Sequence, residues 1–503
     1  MVIAGLPFDG CQRRSMHADG TRLAGLGSMD SGDLDALEAR VRRDIEMTAH
    51  PRTDWMVPRL YRGQPALDTL IVGAGQSGLV IAFALIRDRV RNILVIDRAP
   101  AGREGPWMTF ARMPTLRSPK DQTGPDLGIP SLTFEAWYDA VNGAGAFASL
   151  YLIPSEAWHD YLQWYRRVLK LPVRNGVAAT AILPGQLDDG GRCLLVTLSS
   201  GEVLAARKLV LATGQDGTGE WWMPDFVRAL PADRRAHTCE IIDFERLRGR
   251  TVAVLGAGAS AMDNAAVALE HGADVHLFCR RAEPGVVQRY RWLTFAGFLK
   301  HIGEMPDEWR WRVMGNIMRA REGFPMDTYK RAMAFPEFTM HVGRPWSDTR
   351  MEEGRIRIET PRGPFHADYA ICGTGIHQNV RLRPELASFA DRIALWRDRY
   401  TPPAGEEDPL LAAHPYLGPD YAFLEKTPGE APFLADIHLF GIGATLSFGP
   451  SGSSINALTT AVPKVVAGVT RGLFAGDLQR HWESLLAYEV KQVELDWSRM
   501  ATG

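Results

Sequence analysis

Two glycine fingerprints constrain this chain more than any other feature: Gly73-Ala74-Gly75-Gln76-Ser77-Gly78 and Gly256-Ala257-Gly258-Ala259-Ser260-Ala261. Each follows an apolar run, residues 69–72 and 251–255, and opens a helix-like stretch. In such a strand, turn and helix, a tight glycine turn lets a pyrophosphate approach the backbone and rest on the free N–H groups of the helix start. The residue 24 places beyond the first glycine differs in sign between the copies, Asp97 in the first and Arg280 in the second. A carboxylate at that point holds ribose hydroxyls, whereas a guanidinium suits a 2′-phosphate. Arg281 follows Arg280 and Arg98 follows Asp97, so each strand end carries a further cation. Ala261 stands where the first copy has Gly78, a change that still permits close packing of helix on strand. The pattern predicts an α/β protein with two Rossmann-like dinucleotide-binding units, the first for an adenine dinucleotide with a free ribose and the second for NADPH. Together they point to FAD with NADPH.

A second internal echo places the units. Residues 208–214 (KLVLATG) and 368–375 (DYAICGTG) both join an apolar strand to a Thr-Gly turn, at Gly214 and Gly375. Turns of this kind mark crossover points close to the cofactors, so the NADPH domain is expected as an insertion in the FAD domain. The expected division is an N-terminal extension and strap over 1–65, the first part of the FAD domain over 66–214, the NADPH domain over 215–375, and the rest of the FAD domain over 376–503. Residues 286–345, dense in Trp, Arg and Met, interrupt the alternating pattern as a helical insertion. Residues 1–30 lack periodicity and are expected to be disordered. Ser31 is placed to cap a helix carrying Leu34, Leu37, Val41 and Ile45 at helical spacing, and the prolines Pro51, Pro58 and Pro65 around Trp55 read as a strap on a domain face.

Composition removes several function classes. A formal net charge of -2 over 503 residues gives no reason to expect a nucleic-acid partner. The five cysteines form no CxxC or CxxxxC pair of the kind dithiol flavin chemistry needs, and the histidines show no metal-ligand spacing. Residues 70–86 are apolar, but the fingerprint glycines and Gln76 explain them as strand, turn and helix, not as a membrane span. With no secretory pattern at the start, the expected location is cytoplasmic. Homo-oligomerisation stays open.

Beyond the fingerprints, Gly105-Pro106-Trp107 lies after the acidic strand end, and Lys120-Asp121 lies within residues 113–134. With the Thr-Gly crossovers, these make residues 66–470 resemble the class B flavin monooxygenases, a group that includes N-hydroxylating, flavin-containing heteroatom and Baeyer-Villiger enzymes. The resemblance implies that Trp107 contacts the flavin, and that Lys120 positions substrate beside it as the N-hydroxylase lysine does. His237 falls near the linker histidine of the Baeyer-Villiger pattern, but Pro231, Asp233 and Ile241 depart from that pattern. The implied reaction is reduction of FAD by NADPH, formation of a C4a-hydroperoxide with O2, and oxygen transfer to a nucleophilic heteroatom. The expected substrate is a small molecule, an amine or amino-acid derivative hydroxylated on nitrogen. Sulfur oxidation and ketone insertion are alternatives on the same fold, and an NADPH-dependent flavin reductase is the alternative from another class. Residues 438–466 join a strand to a Gly/Ser turn and a helix expected to start at Ser453 or Ser454, whose N-terminus would face negative charge on the reduced flavin.

Overall fold

The computed structural model describes residues 31–121, 124–320, 323–450 and 454–500. The segment 1–30, for which disorder was expected, lies outside the described residues. Two parallel sheets organise the rest. In the first, Val173–Asn175, Ile93–Asp97, Leu67–Val72 and Val203–Gly214 lie side by side in parallel. Leu67–Val72 is buried along almost its whole length, Asp68 and Thr69 included, with successive apolar residues Leu70, Ile71 and Val72 covered on both faces. The long strand Val203–Gly214 changes partner along its length. Its first half pairs antiparallel with Arg192–Leu198, which pairs in turn with Ala179–Gln186, and its second half pairs parallel with Ile437–Gly441 from the far end of the chain. The helix Gln76–Arg87 is apolar nearly all round, so it is buried on every side, with the C-terminal helix Leu458–Gly476 against it.

Between Gly214 and Ile437 the chain builds a second sheet in the order Arg235–His237, Tyr369–Cys372, Thr251–Leu255, Asp274–Phe278 and Phe338–His341, every pair parallel. A three-stranded antiparallel sheet, Asp348–Glu352, Arg355–Glu359 and Phe365–Ala367, packs Ile356 and Ile358 onto it beside Phe278 and Trp346. The path out and the path back meet as a short antiparallel ribbon, Gly219–Trp221 against Ile376–Gln378. The architecture is two Rossmann-type units, the second inserted in the first.

Three details differ from the sequence reading. The helix expected after Ser31 runs Ser31–Met47, with Ser31 as its first residue instead of its cap, and it buries Leu37 and Val41. Residues 286–345 hold the helices Ala296–His301, Asp307–Ala320 and Met326–Met333, but the stretch ends as the edge strand Phe338–His341, because pairing with Asp274–Phe278 overrides the helical context. At the C-terminal turn, a 3-10 segment Ile455–Ala457 comes first and the α-helix starts only at Leu458. Trp55 donates to the carbonyl of Asp88 at 2.8 Å, and Arg59 pairs with the buried Asp477 at 2.9 Å, so residues 51–65 are held across the first unit. No helix among the described residues is long and apolar enough to cross a membrane.

Candidate active site

At the first fingerprint each glycine has its own physical reason. Gly73 has φ of +108°, and a Cβ there would lie 2.3 Å from the carbonyl oxygen of Ala212 on the neighbouring strand. A Cβ on Gly78 would lie 1.8 Å from the carbonyl oxygen of Gly73, so this residue is what lets the helix sit on the turn. Gly75 is different. A Cβ there would meet only the Cα of Gly105, at 3.9 Å, so the protein itself does not need a glycine at this place. The helix begins at Gln76, and its first return bond from outside is Leu79 N–H to Gly75 C=O, which leaves the amides of Gln76, Ser77 and Gly78 for an anion.

The gap between Gly75 and Gly105 also adjoins the indole N–H of Trp107, a buried donor with no partner. A buried donor is costly to leave unpaired, so an acceptor-bearing group fits here. Asp97 accepts from the Ala74 amide through one carboxylate oxygen and from the Ala99 amide through the other, both at 2.7 Å. It therefore shapes the fingerprint loop, and its remaining lone pairs are what it can offer ribose hydroxyls. Arg98 is exposed and 3.5 Å from Asp216, in the turn after Gly214 (φ of +80°). These features fit a dinucleotide in this cradle.

The second fingerprint repeats the plan with one exchange. Gly256 has φ of +114° and a Cβ there would lie 2.4 Å from the carbonyl oxygen of Gly373, while around Gly258 there is nothing within 4 Å. Ala261 keeps its methyl because the facing residue, Gly373, has none: a Cβ on Gly373 would lie 2.6 Å from that of Ala261. Gly78, by contrast, has no room for a methyl against the carbonyl of Gly73 in its own turn. The helix starts at Ala259, with Ser260 exposed on its first turn. Arg281 donates to the carbonyls of Ala320 and Arg319 at 3.0 and 3.1 Å. Arg280 is exposed with no hydrogen bond or ion pair among the described residues, so of the two arginines it is the one left for a phosphate. At the second crossover, Gly375 has φ of +88° and its carbonyl accepts from the Trp222 amide at 2.9 Å.

Lys120 does not stand free. Its ammonium donates to the carbonyls of Phe147 and Ala148 at 2.9 and 3.0 Å and lies 4.7 Å from the centre of the Phe147 ring. It thus closes the C-terminal end of the short helix Ala146–Ser149, and one of its three N–H groups remains. Asp121 beside it is exposed. Ser453 lies outside the described residues; Ser454 is extended, and its side chain makes no capping bond to the turn that follows.

The sequence reading passed over a contact that ties the units together. Arg117, from the loop that also carries Lys120, pairs with Asp263 on the helix of the second fingerprint, and Thr328 donates to the other oxygen of Asp263 at 2.9 Å. Asp263 is 3% exposed, and a carboxylate buried in a nucleotide helix is the signal that a cation must reach it from elsewhere. A cleft of about 670 Å³ opens beside this contact, with Arg117, Gln288, Arg291, Phe324 and Tyr329 in its walls.

Comparison with known proteins completes the picture. A family model described as FAD-NAD(P)-binding matches residues 70–216, and one described as L-lysine 6-monooxygenase/L-ornithine 5-monooxygenase matches residues 146–289. A FAD-dependent urate hydroxylase of Xanthomonas campestris pv. campestris is 41% identical over 466 residues, 92% of this chain and 98% of that protein. The chain belongs to the class B flavin-dependent monooxygenases. Solved structures share the fold of this monooxygenase at low identity. An ornithine N-hydroxylase of Kutzneria sp. 744 superposes with a TM-score of 0.63 at 18% identity, covering 81% of this chain and 99% of its own. The ornithine hydroxylase of Pseudomonas aeruginosa gives 0.62 at 16%, covering 81% and 100%. FAD is the flavin of this enzyme.

Proposed function

We propose that this monooxygenase uses NADPH and O2 to hydroxylate urate or a closely similar oxopurine. The observation that carries the reading is the identity of 41% with a urate hydroxylase over nearly the whole of both chains. The cleft beside Arg117 supports it, because Arg291 and Gln288 with Phe324 and Tyr329 offer charge, amide and ring contacts suited to a flat, anionic, carbonyl-rich ligand. Bound FAD supplies the redox chemistry, taking a hydride from the nicotinamide and activating oxygen. The chain's own work is to hold both dinucleotides: Gly75 and Gly105 leave room for the first, Gly258 and the amides of the following helix start take the second, and Arg280 selects the 2′-phosphate.

A second reading is hydroxylation of an amine nitrogen in an amino-acid derivative. It is favoured by the lysine and ornithine monooxygenase model over residues 146–289 and by Lys120, whose third N–H is free for a substrate carboxylate. In that case burial must also keep the amine unprotonated, since desolvation disfavours the charged form. One experiment separates the readings. The FAD-loaded enzyme is given NADPH with urate, ornithine, lysine or a diamine, and products carrying one added oxygen are counted by mass spectrometry against NADPH consumed. Coupled product is expected from urate; coupled product from an amine alone would establish the second reading, and hydrogen peroxide with every compound would overturn both.

A further inference from the structure

Residues 112–117 lie between the two units and are bonded to both. Their backbone belongs to the first unit: the Leu116 amide donates to the Ile153 carbonyl at 2.8 Å, while Ser155 donates its amide to the Pro114 carbonyl at 2.9 Å and its hydroxyl to the Met113 carbonyl at 2.8 Å. Leu116 and Ile153 are buried, so the stretch is anchored in the core of that unit. Its two arginines reach the second unit. Arg112 donates to the Glu240 carbonyl at 2.7 Å and to the Thr238 carbonyl at 3.4 Å, with its guanidinium 5.6 Å from the centre of the Phe244 ring. Arg117 pairs with Asp263. A segment held on both sides in this way acts as a strut between the units.

The carboxylate that Arg117 takes sits at a sensitive place. Asp263 is one turn into the helix Ala259–Glu270, whose first amides are left for the pyrophosphate of NADPH. Its second oxygen is held by the buried Thr328, and a carboxylate this deeply buried is strongly destabilising without its cation, so the helix does not leave Arg117 at little cost. The other end of the nucleotide site is held separately. Arg281 is bonded to the carbonyls of Arg319 and Ala320 in the insertion, and the insertion reaches the first unit where Lys464 meets Glu304 at 2.7 Å. The insertion thus fixes the strand end that carries Arg280, where the 2′-phosphate goes, and the strut fixes the start of the helix, from which the pyrophosphate leads on to the nicotinamide.

We propose that Arg117 and Asp263 are positioning residues for hydride transfer from NADPH to FAD: through this pair the first unit sets where the nicotinamide stands over the flavin. Affinity for the coenzyme is set elsewhere, at Arg280 and the helix amides, so the pair acts on the rate of reduction and not on binding. A shift of the helix start by about 1 Å carries the nicotinamide with it, and a misplacement of that size is enough to slow the step by roughly one to two decades.

Anaerobic stopped-flow reduction of the full-length, FAD-loaded chain by NADPH tests this. No substrate is added, so the result stands whichever compound the cleft takes. The double variant Arg117→Met/Asp263→Asn removes both charges together, which leaves no unpaired buried carboxylate and keeps an acceptor for Thr328. Its limiting rate of flavin reduction should fall by about tenfold or more, while its dissociation constant for NADP+ stays within about threefold of the parent. Apart from turnover, the visible difference spectrum that saturating NADP+ produces on the oxidised flavin should shrink in the double variant. Arg117→Lys, which keeps a cation within reach of Asp263, should retain about a third or more of the parental rate. Should the double variant purify without FAD, Asp263→Asn alone is read in the same way, since the partly exposed Arg117 can then be hydrated. A parental limiting rate or a parental difference spectrum in the variant overturns the proposal. So does an equal loss of rate and NADP+ affinity, or an Arg117→Lys protein no faster than the double variant, because either would leave the pair a structural contact only.

Discussion

At the scale of single residues, the fingerprint glycines divide into those the fold needs and those a ligand needs. A Cβ at Gly75 meets no protein atom closer than the Gly105 Cα at 3.9 Å, so Gly75→Val should fold and purify colourless, its side chain standing where the FAD pyrophosphate would pass. Gly78→Val should fail earlier, as insoluble or strongly destabilised protein, because its Cβ would collide with the Gly73 carbonyl oxygen at 1.8 Å. Absorbance at 450 nm and a melting curve check the pair, and a yellow Gly75→Val protein would remove FAD from this turn. Arg280 carries the matching prediction for the second site. Arg281 is already bound to helix carbonyls, so Arg280→Ala should cost NADPH about 1.5 to 3 kcal/mol of binding, roughly one to two decades in KM, with NADH kinetics nearly unchanged. An equal loss for both coenzymes would show that Arg280 does not read the phosphate.

At the scale of elements, Lys120 links a loop to a short helix. Lys120→Ala removes two hydrogen bonds to the end of Ala146–Ser149 and the contact with the Phe147 ring, so it should lower the melting temperature by a few degrees, for a loss of about 1 to 2 kcal/mol. If Lys120 also positions substrate, product formed per NADPH should fall and peroxide rise while NADPH-driven flavin reduction stays near the parent rate. Unchanged coupling in a less stable protein would leave the lysine a purely structural part. The elements themselves were legible in the sequence wherever periodicity and turn chemistry agree, as in the two fingerprint units and the helix carrying Leu37 and Val41. They were illegible where tertiary pairing decides: Phe338–His341 is a strand because Asp274–Phe278 lies beside it, and Arg117 belongs to Asp263 only because the loop of one unit reaches the helix of the other. Ala261 and Gly373 were both legible in the sequence, but only the contact between them shows why one can carry a methyl while the other cannot.

At the scale of the whole molecule, burial of ionisable groups fixes how stability responds to pH. His237, His414 and His438 are buried in three separate regions, and burial lowers each pKa from 6.5 to about 4. A histidine whose folded value lies below its unfolded value leaves the unfolded chain holding more protons in acid. Its contribution is therefore intact above pH 6.5 and is lost progressively as pH falls toward 4, by roughly 3 kcal/mol for a shift of this size. Asp68 acts the other way: burial raises its pKa to about 6, so protonation relieves part of the cost of burying it as pH falls through the same range. His341 joins the histidine side, its pKa lowered to about 4 mainly by burial, and Asp88, Asp126 and Asp160, raised by burial, join the aspartate side. Four histidines lowered to about 4, with Asp68 the one aspartate among the described residues raised as far as about 6, should leave a net fall in melting temperature between pH 6.5 and 4. His414 offers a clean check, because its Nδ1 lies 3.0 Å from the Leu411 carbonyl while its Nε2 is buried without a partner. In His414→Asn the side-chain amide can keep the bond to that carbonyl but cannot take up a proton. The variant should melt lower than the parent at pH 8, where packing is lost, yet show a shallower decline from pH 6.5 to 4, so that the two curves converge in acid. Parallel curves would mean that protonation of His414 contributes nothing to the acid sensitivity of the fold.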